Sequence, residues 1–234
     1  MKEKSKLRID GRTFDQLREI KAKTGVISRA DGSAIFQIGK TIAYAAVYGP
    51  RELHPKFLQN PERGVLRCNY NMMSFSGSGE RVRPGPSRRS REISMVIEKA
   101  LTPVLNLEQY PNSVIDIFVE LLQTDAGTRC AGISAAAMAL ADAGIPMKDL
   151  VSSVSVGFLN GNSVVDLTKE EEDVDGTVDI AFAIIPRKKE ITLLQLDGII
   201  NKEQLKNSLI LGIQACEKIY RIQQNALKER YKNE

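Results

Sequence analysis

The sequence predicts an α+β fold, with helices packed on mixed sheets. Three observations carry that prediction. Segments with a period-two apolar pattern and segments with a period near 3.6 alternate in the order strands, helix, strand, helix, strands, helix. Hydrophobic residues make up 42% of the 234 positions and charged residues 26%, which gives a real core and excludes a disordered chain. No repeat, low-complexity tract or linker divides the chain, so one domain over residues 1–234 is expected.

The elements follow in order. Ala34–Ile38 and Thr41–Tyr48 are short apolar runs with Gly39-Lys40 between them, which is a hairpin signal, and Gly49-Pro50 is expected to stop the second strand. Residues 51–64 read as an irregular polar excursion, and Leu66–Phe75 as a weaker strand. Ser76–Arg91 is rich in Gly, Pro and Arg, and reads as a cationic loop. A helix follows, because Ile93, Val96, Ile97, Ala100 and Leu101 share one face; Ser87 or Ser90 can cap it, and Pro103 sits near its end.

Val114–Leu122 alternates as a strand, with Ile115, Ile117, Val119 and Leu121 on one face. A helix of small residues, Ala131–Ala143, ends at Gly144. Val151–Leu159 and Ser163–Leu167 flank a turn at Asn160-Gly161-Asn162. Glu170–Gly176 reads as an acidic, mostly solvated loop, followed by a strand hairpin over Thr177–Ile185 and Ile191–Leu196. Lys202–Tyr231 is a long amphipathic helix that Asn201 can cap, with Leu205, Leu209, Gly212, Ile213, Cys216 and Tyr220 as its buried stripe.

Several function classes are excluded. The longest apolar runs fall short of the roughly 18 residues a membrane helix needs, and the charged start Met1–Asp10 lacks the apolar segment of a signal peptide. Cys68, Cys130 and Cys216 are odd in number and far apart, which argues for a reducing, cytoplasmic compartment without a zinc site or disulfide framework. The single histidine, His54, makes a Ser-His-Asp triad improbable and reads as a loop residue. The chain lacks a Walker A motif, a dinucleotide fingerprint and a kinase set. Lys+Arg minus Asp+Glu is 33 − 29 = +4, so partners must be argued from where the charge sits.

Three constellations can carry chemistry. Gln123–Arg129 joins a strand end to a helix start. Gly127 allows close backbone approach, and the N–H groups of Thr128, Arg129 and Cys130, with the Thr128 hydroxyl and Arg129 fork, suit an anion. An ordinary strand-to-helix turn has the same local pattern. The five arginines Arg81, Arg83, Arg88, Arg89 and Arg91 suit a polyanion, with Tyr70 and Phe75 near enough in sequence to stack on bases; a solvated charge run is the alternative. Asp179 lies in the strand T-V-D-I-A-F-A-I-I, where a carboxylate can hold Mg²⁺, donate a proton or pair with an arginine.

Together these segments resemble the RNase PH family of phosphorolytic 3′→5′ exoribonucleases, over nearly the whole chain from about Leu7. The resemblance is carried by Asp10-Gly11-Arg12, Gly32-Ser33-Ala34, Gly39-Lys40-Thr41, Gly49-Pro50-Arg51-Glu52, Arg88–Ser94 and Gln123–Arg129. Ala141–Met147, Val165-Asp166-Leu167 and the Asp173/Asp179 pair complete it. Within the family, Arg81–Ser90 and Leu53-His54-Pro55 look most like the catalytic ring subunit of the archaeal exosome. Bacterial RNase PH, a homohexamer that trims tRNA 3′ ends, usually carries two adjacent glycines before Thr-Arg, whereas Ala126 precedes Gly127 here.

The resemblance implies a ribosomal-protein-like fold of two βαβα-like halves, about 7–148 and 149–232. It implies a hexameric ring built as a trimer of heterodimers with a non-catalytic paralogous subunit, RNA-binding cap proteins, and single-stranded RNA threaded through the pore. Inorganic phosphate is the implied co-substrate. Gly127, Thr128, Arg129 and Arg89 match the phosphate site, and Arg67, Arg88 and Arg89 the RNA-contacting arginines. Asp173 matches the proposed general acid, ahead of its neighbour Asp175. Asp179 matches the second catalytic aspartate, and Asp173 and Asp179 together match carboxylates associated with Mg²⁺. A non-catalytic, RNA-binding ring member is the alternative from another class.

Overall fold

The period-two segments assemble into two sheets, with a helix of small residues sealed between them. A computed structural model describes residues 8–159 and 161–232. The charged start Met1–Leu7, and Asn160 of the expected hairpin turn, lie outside the described residues.

The first sheet holds β1 (Ile20–Thr24), β2 (Gly32–Ile38), β3 (Thr41–Glu52), β4 (Val65–Met72) and β5 (Ser113–Gln123), in the order β1-β2-β3-β5-β4. Its pairs are antiparallel except β4 with β5, which are parallel and joined through helix α1 (Arg88–Leu101). The β2–β3 hairpin turns at Gly39-Lys40, with Ile38 opposite Thr41. Gly49-Pro50 does not stop β3. The strand runs on to Glu52 across a register shift between Tyr48 and Arg51, the kind of irregularity that admits a proline.

The second sheet is antiparallel, in the order β7-β6-β8-β9, from β6 (Ser152–Leu159), β7 (Asn162–Val165), β8 (Val178–Ile185) and β9 (Glu190–Asp197). Helix α2 (Thr128–Asp142) packs on β2, β3 and β5 of the first sheet and on β6 and β8 of the second. Covered on both sides, it buries Ala131, Gly132, Ala135, Ala136, Ala137 and Ala139, whose small side chains let the sheets close in. The two sheets therefore share one core.

Three departures from the sequence pattern follow from capping and polar packing. Helix α1 begins at Arg88, five residues before its apolar face, because Ser87 and Ser90 form a reciprocal capping box. Arg88, Arg89 and Arg91 therefore lie on the first helical turn and not in the loop before it. The acidic stretch is not all solvated loop either. Thr168 caps a single helical turn, α3 (Lys169–Glu172), and Glu171 is fully buried against Arg8 in an ion pair. In helix α4 (Lys202–Tyr231), capped by Asn201, the deepest residues are Ser208, Gly212, Ala215, Cys216, Ile219 and Gln223. Leu205, Leu209, Ile213 and Tyr220 are only half-buried. A purely apolar stripe misses this face, because Gln223 is satisfied in the core: it donates to the Ser134 and Val151 carbonyls and accepts from Ser152 at 2.6 Å.

The start of the described chain crosses to the second sheet through arginines. Arg8 donates to the Val165 and Asp166 carbonyls as well as to Glu171. Arg12 reaches the Asp166 carbonyl at 3.0 Å and its carboxylate at 3.2 Å.

Candidate active site

The junction of β5 and α2 forms a sharp turn. Ala126 (φ 58°) and Gly127 (φ 61°) are both left-handed, a conformation glycine accepts freely and alanine does not. Thr41 holds the turn, its hydroxyl donating to the Ala126 carbonyl at 2.8 Å and accepting from the Asp125 N–H at 2.9 Å. No side chain caps α2. The first-turn N–H groups of Thr128, Arg129 and Cys130 are thus left open at the positive end of the helix.

This helix start faces a cavity of about 690 Å³. The loop of residues 77–87 and the first turn of α1 form one side, and α3 with the β8 and β9 ends forms the other. Arg83, Arg89 and Arg129 give it a cationic wall; Glu172, Asp179 and Asp197 give it an acidic one. Such a cleft can gather two anions and still hold a carboxyl that retains its proton.

The wall residues are held unequally. One Arg129 nitrogen donates to Glu92 at 3.1 Å, while its Nε is buried without a partner. Glu92 also accepts from Gln195, and that hydrogen bond, with Arg129, keeps its carboxyl below the usual range. The Tyr70 hydroxyl and Thr177 hydroxyl are likewise buried and unpaired, and both residues line the cavity. Three orphaned polar groups around one cleft point to a ligand rich in oxygen.

On the acidic side, the Ser155 hydroxyl donates to Asp179 at 2.5 Å. Burial pushes the Asp179 carboxyl up, with the Ser155 bond and Arg129 partly offsetting it. Glu172 is pushed up to about 7 by burial and by the nearby Asp179 charge, against Lys169 and Arg89. Among the described residues no three His, Cys, Asp or Glu side chains gather as a metal cage. Asp179 lines the cavity, while Asp173 lies outside its lining and is paired with Lys169, so these two carboxylates are not gathered as a cation site.

The structure brings Gly127, Thr128, Arg129, Arg89 and Asp179 to this one cavity and leaves Arg67, Arg88 and Asp173 outside its lining. Arg67 forms a two-pronged pair with Asp116, at 2.6 and 2.9 Å, on the outer face of the first sheet. Asp173 follows the last turn of α3, its side chain 62% exposed and paired with Lys169 at 2.6 Å. Tyr70 is 3% exposed and cannot stack on a base, which corrects that expectation; Phe75 is 73% exposed and can. His54 is exposed, beside Glu52. Sequence reasoning missed Tyr70 as a wall residue, and also Ser155, Glu172 and Lys169. None of these carries a local signal: Ser155 shares its strand with Ser152 and Ser153, so a hydroxyl there does not single it out.

The three cysteines are buried and free. Among the described residues no helix is long and apolar enough to cross a membrane.

Known proteins share this fold. The 3′ exoribonuclease family, domain 1, matches residues 16–146, and domain 2 of the same family matches residues 149–215. The exosome complex component Rrp41 of Pyrococcus furiosus is 54% identical over 96% of this chain and 89% of its own. That of Methanopyrus kandleri is 51% identical over 96% and 93%. Among solved structures, rice Rrp46 superposes with a TM-score of 0.82 at 25% identity, covering 94% of this chain and all of that one. A chain of the Archaeoglobus fulgidus exosome with RNA bound to the active site has a TM-score of 0.76 at 24% identity over 91% of each chain; at that identity it speaks for the fold alone.

Proposed function

The chain belongs to the 3′ exoribonuclease, or RNase PH, family, and from that premise we propose that it degrades RNA from the 3′ end by phosphorolysis, as the catalytic subunit of an archaeal-type exosome ring. The observation that carries this reading is the cleft itself. An uncapped helix start with Arg89 and Arg129 faces Asp179 and Glu172 across one cavity.

In this reading the N–H groups after Gly127, the Thr128 hydroxyl and Arg129 bind inorganic phosphate. Arg89 spans it and the last RNA phosphate, offsetting the repulsion of two anions. A phosphate oxygen attacks the terminal phosphodiester phosphorus. The bond to the 3′-oxygen breaks, a nucleoside diphosphate leaves, and the shortened RNA takes a proton on its new 3′-hydroxyl. Asp173 supplies that proton and Asp179 steadies the acidic wall. The Lys169 partner of Asp173 is an exposed pair, worth about 0.2–1 kcal/mol, and releases it readily. In its ionised form, and freed from Lys169, Asp173 would join Asp179 in holding Mg²⁺, which would supply charge neutralisation for the phosphates. Because the bond energies nearly balance, 3′ tailing from nucleoside diphosphates is expected when phosphate is scarce.

Arg88 and Arg67 guide single-stranded RNA toward the cleft through its phosphates. The halves meeting near residue 148 act as one domain, since both contribute to the cavity and to the core. Exposed Phe57, Leu58, Leu194, Leu196 and Ile199 support burial against other subunits, here a non-catalytic paralogue in a hexameric ring topped by RNA-binding cap proteins. Free buried cysteines support a cytoplasmic setting.

The test is body-labelled single-stranded RNA incubated with the chain, alone and mixed with a ring partner, with and without phosphate. Phosphate-dependent release of nucleoside diphosphates is expected. Phosphate-independent monophosphates would mean hydrolysis and sink the mechanism. Binding of RNA without product, partner present, would return the chain to the non-catalytic class. A hexamer formed by the chain alone would favour the homohexameric bacterial arrangement.

A further inference from the structure

Close to the Gly127 turn lies a guanidinium that joins Asp125 to Asp166. Arg18 is almost fully buried, its side chain 8% exposed. One of its nitrogens donates to the Asp125 carbonyl at 2.6 Å and to the Asp125 carboxylate at 3.2 Å. Its Nε and the other terminal nitrogen grip Asp166 at 2.9 and 2.6 Å, and its backbone N–H adds a third bond to Asp166 at 2.8 Å. A Cβ placed on Gly127 would lie 3.8 Å from that second nitrogen, so the fork sits directly under the phosphate-loop turn. Asp125 continues the chain of contacts, accepting from the Lys169 N–H at 3.1 Å, and Lys169 opens the helical turn that carries Glu172 and ends beside Asp173.

We propose that Arg18 is a positioning residue for phosphorolysis: through Asp125 and Asp166 it fixes the spacing between the phosphate loop and the acidic segment. This rests on the function proposed above and assigns Arg18 no contact with substrate. The backbone on both sides of the fork is of the kind that needs holding. Ala126 (φ 58°) and Asp166 (φ 57°) are left-handed without being glycine. Attack on a phosphodiester with proton transfer to the leaving oxygen depends on that spacing, and a displacement near 1 Å costs about a hundredfold in rate. A lysine keeps the charge but has no fork to bridge Asp125 and Asp166.

Arg12 supplies the control. It also pairs with Asp166, and with Asp10 and the Gln16 carbonyl, but has no bond to the phosphate loop. In the assembled, active complex, R18K is expected to lower kcat/KM for phosphate tenfold to a hundredfold. Its RNA affinity without phosphate should stay within about twofold of wild type. R12M is expected to lower the melting temperature and leave both kinetic constants near wild type. Where R18K melts too low to assay, D125A, which cuts the tie to Lys169, carries the same kinetic expectation. An unchanged KM and kcat for phosphate in R18K or D125A overturns the inference while the function stands. An R12M defect equal to that of R18K overturns it too, since the effect would then be general destabilisation. Wild-type complex that shows no phosphate dependence overturns the function, and this inference with it.

Discussion

The phosphate loop and the acidic segment each set a helix start beside the cleft, yet they are anchored differently. At the first, Thr41 and Arg18 hold the Asp125–Gly127 turn from below, and α2 behind it is buried between two sheets. At the second, α3 is one turn long; only Glu171 is sealed, and Asp173 points to solvent on an i,i+4 pair with Lys169. A site for an attacking anion profits from being preorganised, because no reorganisation is then needed at the moment of reaction. The proton donor proposed at Asp173 must leave its resting partner and take up a proton in each turnover, and a weakly held carboxyl can do so.

The largest effects should come from the two aspartates. Asp173→Asn is expected to lower kcat by a factor on the order of 10²–10⁴, typical for loss of a general acid, and to spare RNA binding. Asp179→Asn should fall in the same range if both carboxylates serve the step. Comparing the two by single-turnover kinetics sharpens the contrast. A full-rate Asp173→Asn with a dead Asp179→Asn would move the donor onto the buried carboxyl.

Arg8→Met tests the sealed part of the acidic segment. It leaves Glu171 charged and buried without its partner, which should cost about 3–5 kcal/mol of stability, read by denaturant unfolding. Arg129→Met tests the opposite wall. Its kcat/KM for phosphate should fall about 10²–10³-fold with the melting temperature little changed, since the Glu92 pair it loses is partly exposed, worth about 0.2–1 kcal/mol, and its Nε has no partner to lose. A large stability loss in Arg129→Met would show that the cationic wall is structural rather than poised for a ligand.

How much of this was legible in the sequence divides along the same line. The strand-to-helix turn is readable because its signal is local: a strand, a glycine turn and a helix of small residues follow one another within a few positions. The strand hairpins and the long final helix were readable for the same reason. The arrangement of Arg8, Arg12 and Arg18 around Asp166 and Glu171 was not. Each of these pairs spans well over a hundred residues of chain, and no local period encodes it. Tyr70 reads as a stacking surface in the sequence yet is buried, because strand alternation does not say which face helix α1 covers. Composition alone assigns Arg88 and Arg89 to the loop, because a Ser-x-x-Ser capping box begins a helix before its apolar face appears.

Glu172 offers a smaller, pH-dependent test of the acidic wall. Its carboxyl is raised from 4.5 to about 7 in the folded chain, by burial first and then by Asp179. Between those values the folded state binds a proton that the unfolded state has released. Its contribution is therefore full below about pH 4.5 and is lost as pH rises toward 7. Glu172→Gln should match wild type in stability at pH 4. At pH 8 it should exceed wild type by about 1–2 kcal/mol, once partial solvent contact is allowed for. Equal curves at pH 8 would mean that Glu172 is ionised at no cost and that the wall is wetter than its packing suggests.

The smallest expected effect belongs to Lys169, and its smallness is the point. Lys169→Met removes an exposed i,i+4 partner of Asp173, worth about 0.3–0.5 kcal/mol in helices of this kind. The Lys169 backbone N–H, which ties α3 to Asp125, is untouched by the substitution. The melting temperature should therefore move by little more than the error of the measurement. If the pair does no more than park the carboxylate between turnovers, kcat should hold or rise slightly, because Asp173 no longer has a partner to leave. A fall in kcat of tenfold or more at unchanged stability would place the ammonium among the groups that offset phosphate charge. The acidic segment would then have to be regarded as preorganised, like the loop opposite it.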